Sequence, residues 1–173
     1  MGRGEREFFS TDVVSLNRVQ KMPREKNIPF RSIIEDIYNP VFKDYGFEIQ
    51  GNPISSGNGE YKISAQSKNI ELNFYLGTSR RFYYCDVTIK LSGELKKVRG
   101  NFGEGGLSVV TIATCLNPEY TVSKKASRTK EEVIEKFHTR KDTLLKYCRG
   151  ILSGKLSDWL KVATCLEEQK ESP

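Results

Sequence analysis

The sequence predicts an α+β domain: an antiparallel sheet of about five strands, with an N-terminal helix and two C-terminal helices packed on one face. Apolar residues recur at helical spacing after Pro29, alternate along the strands from Phe47 to Leu91, and return to helical spacing after Thr129. The stretches between successive alternating runs are short, which implies hairpins and therefore antiparallel pairing. An order of helix, strands and helices places the helices against one sheet face.

Each element has its own signal. Pro29 opens the first helix, and Phe30, Ile33, Ile34, Ile37 and Val41 form its apolar stripe. Pro40 is expected to kink the helix or divide it after Tyr38, and Gly46 to cap it. Strand signals follow at Phe47 and Ile49, at Tyr61, Ile63 and Ala65, and at Ile70, Leu72, Phe74 and Leu76. The clearest strand sets Tyr83, Cys85, Val87, Ile89 and Leu91 on one face, opposite Phe82, Tyr84, Asp86, Thr88 and Lys90. Residues 93–106 read as a long, basic, glycine-rich loop, and residues 107–114 as one more strand through Leu107, Val109, Val110 and Ile112. Thr129-Lys130-Glu131-Glu132 is a capping box. It opens a long helix whose stripe runs from Val133 to Leu152, and a last helix holds Trp159, Leu160, Ala163 and Leu166.

The 173 residues suit one domain over 29–173, preceded by an arm or linker over 1–28 whose apolar residues 8–19 offer a docking or self-association surface. No apolar run approaches the roughly 20 residues of a membrane span, and the N-terminus has no apolar leader, so the expected location is cytoplasmic. Cys85, Cys115, Cys148 and Cys165 are scattered, with no C-x-x-C pair. In a reducing compartment they read as small buried apolar residues, neither disulfide-bonded nor metal-binding.

Several chemistries are disfavoured. The one histidine, His138, lies on a helix flank, so it reads as a boundary residue and not as a catalytic base. Residues 150–156 mimic a phosphate loop but have too few residues between their glycines and lie between helices; residues 100–106 lack a lysine and a following helix. Glu35 with Asp36, and Glu131 with Glu132 and Glu135, sit where helices ordinarily carry acids. Asp86 interrupts an aromatic-rich strand but falls on its polar alternation, as for a solvated sheet face. The chain is therefore expected to be non-enzymatic, without cofactor or metal.

The net charge of +6 is unevenly placed. Residues 78–130 hold ten basic and four acidic side chains, a local +6, while the other segments sum to zero. If the two central strands form a hairpin, Tyr75, Phe82 and Tyr84 cluster beside Arg80 and Arg81 on the sheet face away from the helices. Basic clusters flank the sheet at Lys96, Lys97 and Arg99 and at Lys124, Lys125 and Arg128. Aromatics with arginines are enriched at protein interfaces, and they also stack bases. The leading expectation is a module that binds another protein through this face and its loops. The alternative is a basic nucleic-acid-binding accessory protein, although no RNA- or DNA-binding signature is present. Folding of residues 8–19 over the same face would instead bury the aromatics.

Asp44-Tyr45-Gly46-Phe47 at the close of the first helix, and Leu144 to Leu152 near the end, give a layout over residues 29–168 that resembles small bacterial α+β immunity-type or phage-conflict proteins. The resemblance implies inhibition of a partner by direct binding. The basic balance departs from the acidic character common among inhibitors of nucleases, which counts against a nuclease as that partner.

Overall fold

The computed structural model describes residues 29–56, 59–79, 82–123 and 126–171. The arm over residues 1–28, with its docking segment 8–19, and Arg80, Arg81, Lys124 and Lys125 lie outside the described residues. Helix α1 (Phe30–Tyr45) leads into strands β1 (Glu48–Ser55), β2 (Glu60–Gln66), β3 (Ile70–Thr78), β4 (Tyr83–Leu91) and the short β5 (Leu107–Ser108). They form one antiparallel meander in the order β1-β2-β3-β4-β5. Helices α2 (Val109–Leu116), α3 (Lys130–Tyr147), α4 (Arg149–Leu152) and α5 (Ser157–Glu171) complete the chain. The predicted α+β class and sheet are present.

Register explains the layering. Phe74 sits opposite Ile63 on β2 and Val87 on β4, and Leu72 opposite Ala65 and Ile89, so the apolar members of three strands share one face. All of them are buried. The stripe of α1 closes on this face: Tyr38 meets Phe74 edge-on at 4.6 Å and donates its hydroxyl to the Phe137 carbonyl of α3 at 3.0 Å. Phe30 meets Phe137 at 5.9 Å, joining α1 to α3 again. Gly46, at φ 67°, caps α1 in the left-handed conformation as the sequence predicts. Thr129 Oγ1 accepts the Glu132 amide at 3.2 Å, confirming the cap of α3.

Four expectations need correction. First, of the two outcomes expected at Pro40, a kink or a division, division does not occur, because α1 is continuous around it. Pro40 and Asp36, the residue whose carbonyl loses a donor, are both exposed, so the lost bond lies on the solvent side of the helix. Second, residues 107–114 are not a strand: only Leu107 and Ser108 pair, with Ile89 and Thr88, before the chain turns into α2. Ser108 caps that helix by accepting the Val110 amide at 3.3 Å, and Val109, Ile112 and Ala113 form its buried stripe. Third, the long C-terminal helix breaks at Cys148 into α3 and α4. Fourth, Cys115 and Cys165 are joined by a disulfide across α2 and α5, with Cα atoms 5.9 Å apart. Helix α2 carries Cys115 against α5, a placement that a strand at 107–114 would not give.

The connection from β4 to β5 is more ordered than a plain loop. It contains a 3-10 helix (Gly93–Lys97), and Trp159 of α5, fully buried, donates its indole N–H to the Arg99 carbonyl at 3.2 Å. Gly106, at φ 73°, lies so close to β4 that a Cβ would stand 2.6 Å from the Ile89 carbonyl oxygen. Among the described residues no helix is long and apolar enough to cross a membrane.

The disulfide closes a separation of 50 residues. The chain-entropy model sets its contribution at up to about 4 kcal/mol. Reductant is expected to lower the thermal unfolding midpoint by several degrees, whereas Cys115→Ser starts low and does not respond. Scanning calorimetry with and without reductant checks this, and identical curves for the natural chain would contradict the bond.

Candidate binding surface

The outer sheet face carries Lys62, Ser64 and Gln66 of β2, Glu71, Asn73, Tyr75 and Gly77 of β3, and Tyr84, Asp86, Thr88 and Lys90 of β4. Its centre is closed. Asn73 is fully buried and accepts the Ser64 hydroxyl at 2.7 Å, and buried Thr88 donates its hydroxyl to the Gly105 carbonyl of the β4–β5 connection. Tyr75 is half-buried here, with Lys62 above its ring at 5.9 Å, and burial raises its hydroxyl above the usual tyrosine range.

The end of the face nearest the start of β4 is open. Tyr84 is 59% exposed, and its Cβ and ring edge lie within van der Waals distance of the space where Gly77 would carry a Cβ. An aromatic ring over a cross-strand glycine covers otherwise bare backbone, so Tyr84 has a structural role beside any binding role. Arg128 stacks on Phe82 with its guanidinium carbon 5.8 Å from the ring centroid. The segment leading to α3 is held in place because the Tyr83 amide donates to the Ser127 carbonyl at 2.7 Å.

The structure therefore divides the residues singled out in the sequence. It brings Phe82 and Arg128 together, with Tyr84 two residues further along the chain and Tyr75 diagonal to Tyr84 but largely covered. It leaves Lys96 and Lys97 apart from these aromatics. Lys96 and Lys97 are exposed beyond the far end of β4, a nine-residue strand spanning about 27 Å at ~3.4 Å per residue. Arg99 is committed to a two-point ion pair with Glu167 of α5.

Asp86 lies on the polar alternation as expected, with its side chain 41% exposed, and it also makes local bonds. Its Oδ1 accepts the Val87 amide at 2.8 Å and the Ser108 hydroxyl at 2.9 Å, and lies 3.8 Å from Nε of Arg140 on α3. Arg140 is buried, a functional candidate missed in the sequence. A signal existed: Val133, Phe137, Arg140 and Leu144 share one helical stripe, so a basic residue occupies a core position. His138 is exposed on α3, at the flank predicted for it. Among the described residues no group of three or more His, Cys, Asp and Glu is placed to hold a metal ion.

In comparisons with known proteins, no family model, curated protein or solved structure matches the chain. The fold and the surface stand on their own geometry.

The two free thiols and Tyr38 make a pH prediction. Burial pushes the Cys85 thiol from its ordinary 9.0 up to about 11 and the Cys148 thiol up to about 12. Burial likewise raises Tyr38 well above its ordinary 10.0, with Arg140 opposing the shift. Each group ionises more readily when unfolded. The stability they contribute is complete below pH 9.0 and is lost as the pH rises from there towards about 12. Urea unfolding midpoints should fall across that window, and more gently in Cys148→Ala. An equal slope in the variant would contradict the account.

Proposed function

We propose that the chain is a non-enzymatic binding module, an inhibitor or immunity-like adaptor, that engages another protein through the open end of its outer sheet face. The observation that carries this reading is the exposed Tyr84, two residues along the chain from Phe82, on whose ring Arg128 lies. Tyrosine and arginine held rigidly by their neighbours are the side chains that most often dominate a protein interface. They contribute large contact area, and Tyr84 lies alongside Gly77 of the neighbouring strand. The helices cover the opposite face, so this end offers a partner aromatic surface without unfolding anything.

A second reading, a basic nucleic-acid-binding accessory protein, is supported by the exposed Lys96 and Lys97 at the other end of β4. The two readings use surfaces far enough apart to be separated by mutation.

The test compares the natural chain, Tyr84→Ala, and the double variant Lys96→Ala/Lys97→Ala in capture from a host lysate and in retention on heparin against salt. The protein-binding reading predicts specific capture that Tyr84→Ala abolishes and the lysine variant retains. Tyr84→Ala should cost no more than about 1 kcal/mol of stability, the scale of one cross-strand pair, so lost capture would not reflect unfolding. Capture unaffected by Tyr84→Ala would overturn the reading. Salt-sensitive heparin retention lost only in the lysine variant would favour the second.

A further inference from the structure

Helix α5 is held unevenly along its length. Its buried residues, Trp159, Val162 and Ala163, all lie in its first half, and from Thr164 to Glu171 every side chain is partly or fully exposed. The first half is also fixed to the β4–β5 connection. Trp159 donates to the Arg99 carbonyl and meets Phe102 at 5.9 Å, and Gly100 passes so close that a Cβ there would stand 2.7 Å from that of Ala163. Residues 164–171 are tied instead by the bond from Cys165 to Cys115, by the two-point ion pair of Glu167 with Arg99, and by half-buried Leu166. Trp159, Ala163 and Glu167 recur every four residues on the side facing the connection, and Cys165 lies on the opposite side against α2. The ion pair is 60% exposed at Arg99 and 46% at Glu167, so solvent screens it and it holds little alone. The covalent bond is the strongest restraint on this half of the helix.

We propose that the Cys115–Cys165 bond is a redox switch: an external dithiol opens it, residues 164–171 loosen, and Arg99 is released to act with Lys96 and Lys97. A thiolate of the dithiol attacks the Cys165 sulfur, forming a mixed disulfide and expelling the Cys115 thiolate, which takes up a proton. The second thiolate of the dithiol then attacks its own sulfur in the mixed disulfide and expels Cys165, which is protonated in turn. Two electrons pass to the protein, and the dithiol leaves as its disulfide. Neither bonded cysteine is buried, and Cys165 lines a shallow surface groove. The other two cysteines stay out of the exchange. Cys85 and Cys148 are buried, and that burial keeps their thiols protonated, so reoxidation returns to the same pair. Once residues 164–171 loosen, Glu167 leaves Arg99, which follows the exposed Lys96 and Lys97 closely in sequence. The segment then presents three cations without a paired carboxylate and attracts anions more strongly. The opening of the bond rests on neither binding reading, and it does not involve Tyr84.

The ¹⁵N-labelled full chain, oxidised or held in dithiothreitol without denaturant, tests the switch. Alkylation mapped by mass spectrometry should reach Cys115 and Cys165 only in the reduced chain, and Cys85 and Cys148 in neither. Backbone order parameters over residues 164–171 should fall on reduction from about 0.85 to below about 0.6, while α3 keeps rigid values. On heparin, used as a polyanion probe, the reduced chain should elute at higher salt than the oxidised chain. Arg99→Ala should abolish that difference. Glu167→Gln leaves the bond intact, and its oxidised form should elute as late as the reduced natural chain. Four results would overturn the proposal: a bond that resists dithiothreitol in the folded protein, residues 164–171 that stay rigid once it opens, loosening of α3 together with α5, or equal elution of the two redox states, absence of retention in both included.

Discussion

Tyr38 is the point at which the layers of this protein are tied together. Its ring is fully buried edge-on against Phe74 in the middle strand, and its hydroxyl reaches across to the backbone of α3 at Phe137. One side chain thus fixes the distance from α1 to the sheet and the position of α3 beside it. A buried phenol without an acceptor would cost about 1–3 kcal/mol, so the arrangement is stable only while α3 stays in register with α1. That register also sets where Arg140, three residues beyond Phe137, is held.

One-sided burial follows. With α1 and α3 committed to the face of Ile63, Leu72, Phe74 and Val87, the opposite face must be finished by shorter means. The β4–β5 connection closes its centre through Gly105 and Thr88, and β5 ends after two residues because Ser108 starts α2. The edge of β4 beyond β5 is met instead by Ser127, which anchors the approach to α3. Tyr84 remains 59% exposed although Ser127 meets its neighbour Tyr83 at the strand edge. The open surface is thus a by-product of how the meander is covered.

The strands were legible because register in an antiparallel meander follows directly from alternation, and β2, β3 and β4 alternate cleanly. The stretch Val109-Val110-Thr111-Ile112 was not, since a short β-branched run fits either period and only the Ser108 cap and the brevity of β5 decide between them. That error hid a second feature. Cysteines 50 residues apart carry no pairing signal in sequence, and Cys115 meets Cys165 only once α2 is a helix. The bond also bears on the expected cytoplasmic location, because structural disulfides persist mainly in oxidising compartments. The aromatic face was anticipated in composition but not in extent: strand pairing placed Tyr75 near Tyr84, while the coverage of Tyr75 depends on Lys62 and a loop whose path no local pattern encodes. Asp86 and Arg140 were readable only as a pair of oddities, an acid amid aromatics and a base in an apolar stripe.

The helices seal one sheet face and leave the other open at Tyr84. Tyrosine-resolved oxidative footprinting of the native chain tests it most directly, because it ranks tyrosines by solvent access without altering the sequence. The account predicts rapid modification of Tyr84, slow modification of Tyr75 and none of Tyr38 until the protein unfolds. Protection of Tyr84 together with early modification of Tyr38 would contradict it.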